Sequence, residues 1–97
     1  MKVIDDILLD RLALTKLPDL KDVIVTGAFF CKDNNLTSLE GAPKFIGNGF
    51  WCSRNNLTSL EGAPKFVGGD FWCYNNKVNF TEEYVRSLVK VKGKVFV

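Results

Sequence analysis

The sequence predicts a repeat solenoid, mainly β, and three observations carry that prediction. A 21-residue segment is written almost twice: LTSLEGAPKFIGNGFWCSRNN runs from Leu36 to Asn56, and LTSLEGAPKFVGGDFWCYNN follows from Leu57. The period sets Phe29, Phe50 and Phe71 in one column, Cys31, Cys52 and Cys73 in a second, and Asn34, Asn55 and Asn76 in a third. Self-similarity at a fixed period of this length marks stacked coils, each burying its apolar side against its neighbours. Within each unit the short runs F-F-C, F-W-C and F-W-C alternate as a strand does, so Phe50 and Cys52 face inward while Trp51 and Ser53 face outward. Coils stacked one strand spacing apart, about 4.8 Å, give a parallel sheet of about five strands in a right-handed solenoid. The strands are expected near Ile7–Leu9, Phe29–Cys31, Phe50–Cys52, Phe71–Cys73 and Val95–Val97.

The elements follow in order as one domain over residues 1–97. Residues 1–27 read as a modified first coil that caps the stack: LTKL (Leu14 to Leu17) matches LTSL (Leu36 to Leu39) at a shift of 22, which sets Ile7, Leu9, Leu12 and Leu14 on Phe29, Cys31, Asn34 and Leu36. Residues 28–77 hold the central repeats. There Gly41 and Gly62 ahead of Pro43 and Pro64, with Gly47, Gly49, Gly68 and Gly69, permit tight corners. The asparagine column stands where the chain leaves the strand, and a buried amide at that point bonds backbone groups that the turn leaves unpaired. Residues 78–97 depart from the repeat. Thr81 caps a helix with Glu82 and Glu83 in its first turn, Phe80 staples onto Val85, and Tyr84, Val85, Leu88 and Val89 share a face, which predicts a helix over Glu82–Lys90. Lys92-Gly93-Lys94 then turns the chain into a last strand with Val95 and Val97 inward and Phe96 outward.

Composition excludes several functions. Of 97 residues 46% are hydrophobic and 25% charged, which suits one globular domain. No apolar run approaches the roughly 20 residues of a membrane span, and the acids within MKVIDDILLD argue against a signal peptide, so a cytoplasmic protein with reduced thiols is expected. The net charge of +2 is scattered, so the electrostatic footprint expected of a duplex-binding protein is weak and nucleic acid is unsupported rather than excluded. The chain has no histidine, which removes a histidine-dependent triad, a mixed Cys/His zinc site and the commonest general base. Cys31, Cys52 and Cys73 fall beside inward phenylalanines and read as small hydrophobes rather than metal ligands. Asp5 with Asp6 and Glu82 with Glu83 have no second converging group, and the Glu40/Glu61 and Lys44/Lys65 columns read as a solvated convex side. A non-enzyme without cofactor or metal is expected.

Each unit also fits L-x-L-x-x-N-x-L, with Phe50, Cys52, Asn55 and Leu57 in the four signature places and Leu60, Pro64 and Val67 after them. In this the chain resembles the leucine-rich repeat family. LTSL followed by proline is similar to the short bacterial subtype, and the whole unit is similar to repeats in small proteins of tailed bacteriophages. The resemblance implies a solenoid with a concave parallel sheet and no single activity, since this family supplies scaffolds. It also implies a host-cytoplasmic, phage-type protein that binds and inhibits a host protein such as a component of a defence system.

The outward row then names the candidate site. It runs Leu8, Phe30, Trp51, Trp72, Phe96, flanked by Lys32, Ser53 and Tyr74 on one side and by Ala28, Gly49 and Asp70 on the other. Contiguous exposed aromatics mark interaction sites, and tryptophan, tyrosine and arginine are enriched at binding hot spots. The expected partner-binding residues are Phe30, Trp51, Trp72 and Phe96, with Lys32, Arg54 and Tyr74 at the rim. Three alternatives stand beside a protein partner. The row stiffens a short solenoid and does nothing more; it stacks the bases of a nucleotide or single strand, with Lys32 and Arg54 for phosphate; or the face or an open sheet edge buries itself in a homodimer. Aromatics outnumber clustered basic residues on this row, which favours protein over nucleic acid.

Overall fold

The computed structural model describes residues 2–97. Its strands come in pairs along the chain. They are β1 (Lys2–Ile4) with β2 (Ile7–Leu8), β3 (Val23–Val25) with β4 (Phe29–Phe30), and β5 (Phe45–Ile46) with β6 (Phe50–Trp51). Then come β7 (Phe66–Val67) with β8 (Phe71–Trp72), helix α1 (Glu82–Leu88), and β9 (Lys90–Val91) with β10 (Val95–Phe96). Each pair is one turn of a mainly-β parallel solenoid. The described residues form two five-stranded sheets, ordered β1-β3-β5-β7-β9 and β2-β4-β6-β8-β10, and every pairing is parallel.

The five strands expected from the F-x-C columns are the second of these sheets, paired in the register the period demands: Ile7, Phe29, Phe50, Phe71 and Val95 lie side by side. The other sheet is additional. Its inward column is Ile4, Val25, Ile46, Val67 and Val91, and its outward column is Val3, Ile24, Phe45, Phe66 and Lys90. Phe45 and Phe66 stack at 4.9 Å between ring centres. The two sheets meet at a short corner within each coil, and the third side is closed by Leu36 with Leu39 in one coil and Leu57 with Leu60 in the next. The phenylalanines and cysteines fill the centre: Phe29, Phe50 and Phe71 are fully buried and pack edge-on or tilted, with ring centres 5.6 and 5.2 Å apart. Gly41 and Gly62, at φ +96° and +85°, make the left-handed turn into each Ala-Pro corner, a backbone conformation that costs glycine little.

Helix α1 begins as expected, with the Thr81 hydroxyl accepting from the Tyr84 amide. It ends two residues earlier than the apolar pattern suggests, because Val89 is already extended (φ −129°, ψ 133°) and Lys90 opens β9. Of its apolar face, Val85 and Val89 are buried, while Tyr84 and Leu88 stay at the rim. Phe80 is buried and stacks on Tyr84. Val97, expected inward, is 52% exposed.

The asparagine column ties the coils together. Asn55 donates from its amide nitrogen to the carbonyls of Cys31 (3.0 Å), Cys52 (3.1 Å) and Ser53 (3.2 Å), and its amide oxygen accepts from Leu36 N–H (3.0 Å). Two of those four partners belong to the preceding coil. Asn34 and Asn76 repeat the arrangement one coil below and one above. A buried donor or acceptor left unpaired costs about 1–3 kcal/mol. Asn55→Ala is therefore expected to lower the unfolding free energy by about 3 kcal/mol, read as a drop in the urea midpoint, whereas Thr58→Ala on the exposed side of the same coil changes it little.

Candidate functional site: an aromatic ladder

Strand alternation sends one residue of every F-x-C triplet outward, and the parallel register then stacks those residues coil on coil. Leu8 lies beside Phe30, Phe30 beside Trp51, Trp51 beside Trp72, and Trp72 beside Phe96. Their rings form a column. Centre-to-centre distances are 4.6 Å for Phe30–Trp51, 5.5 Å for Trp51–Trp72 and 3.9 Å for Trp72–Phe96, with planes inclined by 17°, 11° and 12°. Near-parallel rings at roughly the strand spacing must lie across the ladder axis, so each ring covers its neighbour's face and turns its edge to solvent. All four are accordingly half-buried, while Leu8 at the end of the row is 70% exposed.

Room for this column comes from the residue two places before Trp51. A Cβ on Gly49 would stand 2.5 Å from Cζ3 and 2.7 Å from Cη2 of the Trp51 indole, so the ring lies over a backbone that must lack a side chain. Gly49 is thus a packing residue of the site as well as a corner.

The flanking residues divide. Lys32 and Tyr74 are half-buried beside the column, as expected of a rim. Ser53, expected outward between them, is fully buried. Its hydroxyl and the indole Nε1 of Trp72 are buried polar groups that find no hydrogen-bond partner among the described residues. Arg54 lies further on, in the turn after the strand, where Arg11, Asp33, Arg54 and Asn75 all have φ between 56° and 58°. There it pairs with Asp33 at 3.0 Å, and Arg11 approaches the same carboxylate at 3.7 Å. Both arginines are largely exposed, so each pair contributes at most about 1 kcal/mol and leaves Arg54 free to exchange partners.

Chemistry at the inward column is suppressed by burial. Cys31, Cys52 and Cys73 are free and buried. Desolvation pushes all three thiols up, with the Asp10 carboxylate adding to the effect at Cys31 and the flanking cysteines at Cys52; Cys73 is pushed up to about 12. Among the described residues no group of three His, Cys, Asp or Glu is placed to hold a metal ion, and no helix is long and apolar enough to cross a membrane. No family model, curated protein or solved structure matches the chain.

The thiols yield a pH dependence. Between the ordinary cysteine value of 9.0 and the raised native values, the unfolded chain has lost thiol protons that the folded chain keeps. The native state then binds more protons, so stability is complete below about pH 9 and falls as pH rises above it. Urea unfolding from pH 8 upward should show that decline, and a Cys31→Val/Cys52→Val/Cys73→Val variant should lose the part of the slope that the thiols supply. Cys52→Val alone should cost less than about 1.5 kcal/mol, as near-isosteric core changes do.

Proposed function

We propose that the protein is a non-catalytic protein-binding module whose outward aromatic face, Phe30, Trp51, Trp72 and Phe96, docks on another protein, with Lys32, Tyr74 and Arg54 at the rim. One observation carries this reading: four aromatic side chains stand in one unbroken column outside the core, held in place by the sheet register. Rigid aromatics whose edges face water offer contact area at small cost in conformational entropy, which is what binding hot spots use. The likeness of the repeats to leucine-rich repeats of small phage proteins supports a host protein as the partner, such as a component of a defence system that the bound protein would inhibit.

The same geometry weighs against base stacking. Inserting a base between two rings requires about twice the ~3.4 Å rise of stacked bases. The rings of the column are already 3.9–5.5 Å apart and Leu8 lies beside Phe30, so only the outer face of Phe96 remains for a base. A single-strand-binding protein that stacks successive bases needs more open faces than that.

Trp51→Ala and Trp72→Ala are each expected to weaken a captured partner by about 2 kcal/mol or more, roughly thirtyfold in Kd, with Lys32→Ala and Arg54→Ala smaller in effect and sensitive to salt. Tryptophan fluorescence titrated with nucleotides and short single strands should show no saturable change. Full affinity in the double tryptophan variant would move the contact away from this face.

A further inference from the structure

The last coil ends in an arrangement that no other coil has among the described residues. Arg86 on α1 donates from Nη1 to the Val91 carbonyl at 2.8 Å and from Nη2 to the Gly93 carbonyl at 2.9 Å, while its Nε holds Glu82 at 2.8 Å. Both carbonyls occupy places through which the first sheet and its corner continue everywhere else. Ile4, Val25, Ile46 and Val67, the equivalents of Val91, accept from Thr26, Gly47, Gly68 and Lys92 of the following coil. At the corner, Asp5, Gly27, Asn48 and Gly69 accept in turn from Gly27, Asn48, Gly69 and Gly93. The planar guanidinium therefore supplies the two donors that a sixth coil would supply, in the fork geometry that suits it to paired acceptors.

The rest of that end is open. Val95 is half-buried and Val97 is 52% exposed, where their equivalents Phe71 and Cys73 are 0% and 1%. At the opposite end Ile4, Ile7 and Leu9 are only half-buried, where Val25, Phe29 and Cys31 are fully buried. Extending the register by one coil sets the first coil of a second copy on the last coil of the first. Val91 then meets Ile4, Val95 meets Ile7, Phe96 meets Leu8 and Val97 meets Leu9. The exposed corner residues Lys92 and Lys94 come into register with Asp5 and Asp6, which are exposed as well; the Asp6 carboxylate also accepts from the Ala28 amide of its own chain at 2.8 Å. Apolar groups face apolar groups, and cations face carboxylates. Two first coils brought together would oppose Asp to Asp, and two last coils Lys to Lys, so the charges select head-to-tail contact between copies.

We propose that the two ends of the chain are complementary halves of a head-to-tail contact between copies, and that Arg86 is the latch that keeps it closed. With the guanidinium on Val91 and Gly93, two of the carbonyls through which a following coil would pair are already taken, and a second copy loses those two seats. When the guanidinium leaves, those carbonyls take the amides of the next copy's corner, and the aromatic column continues through Phe96 onto Leu8 and Phe30 of that copy. Such a contact uses two different surfaces and does not close on itself, so it adds copies one after another.

Sedimentation equilibrium of wild type and Arg86→Ala over a wide concentration range tests the latch. Wild type is expected to behave as one chain throughout, and Arg86→Ala to rise with concentration toward the mass of two chains and more, less so at high salt. Adding Asp5→Lys and Asp6→Lys to Arg86→Ala should return it to one chain, as should adding Lys92→Asp and Lys94→Asp, and mixing those two monomeric proteins should restore association. Trp51→Ala/Trp72→Ala in the Arg86→Ala background should leave association in place, which separates the ends from the aromatic face. A folded Arg86→Ala that stays a single chain overturns the proposal. So does association that survives charge reversal, or a wild type that already associates through Lys92 and Lys94. Should Arg86→Ala lose its fold, Arg86→Lys replaces it, since an ammonium cannot bridge both carbonyls; it is expected to associate at higher concentration, and a folded single chain at every concentration overturns the proposal equally.

Discussion

The amide of Asn55 bonds two backbone groups of its own coil and two of the coil before it, and the rest of the molecule depends on that bridge. A parallel ladder of two-residue strands has little register information of its own, since a one-residue slip exchanges the inward and outward faces. The asparagine column removes the freedom to slip. Once Asn34, Asn55 and Asn76 each join neighbouring coils, Phe29, Phe50 and Phe71 must stack in the core and the residue after each must stack outside it. The same bridge satisfies carbonyls at the turn where Asp33, Arg54 and Asn75 adopt the left-handed backbone. That conformation is unfavourable for an arginine and is held there by its surroundings.

Register explains the outer face as well. Phe30, Trp51, Trp72 and Phe96 are not four separate exposed aromatics but one column whose inner ring faces are already in contact. Stacking lowers the cost of leaving them in water, which is why a small protein tolerates them on its surface. It also decides what kind of contact they offer, because edges and rims remain where faces do not. The ladder on the other sheet, with Phe45 on Phe66, obeys the same rule. At the last coil Arg86 bonds the carbonyls of Val91 and Gly93, which occupy the places where earlier coils pair with the next.

Much of this is legible in the sequence, and what is not has physical causes. Phe50 and Cys52 could be assigned inward because a period of 21 and an alternation of two agree at those residues, and Thr81 with Glu82 and Glu83 announces α1 by local capping chemistry alone. The first sheet escapes because Phe45-Ile46 and Phe66-Val67 are two residues long, so each carries a single alternation and no pattern. A repeated Phe-Ile and Phe-Val in the same column is the signal that points to it. Ser53 is polar by type and outward by alternation, yet buried, because it is a small side chain in a column whose neighbours are the longer Lys32 and Tyr74, and alternation says nothing of neighbours' size. Gly49 reads as one more corner glycine until the indole of Trp51 is placed over it. The reach of Arg86 to Val91 and Gly93 joins a helix to the end of a sheet, and no spacing in the chain encodes it.

In-register coils hold the outward aromatics as one stacked column, and nuclear Overhauser contacts between the ring protons in solution would show whether they do. Contacts are expected between Phe30 and Trp51, Trp51 and Trp72, and Trp72 and Phe96, and none between Phe30 and Trp72 or Trp51 and Phe96. Absence of the Trp51–Trp72 contact in the folded protein, or a contact that skips a coil, would contradict it.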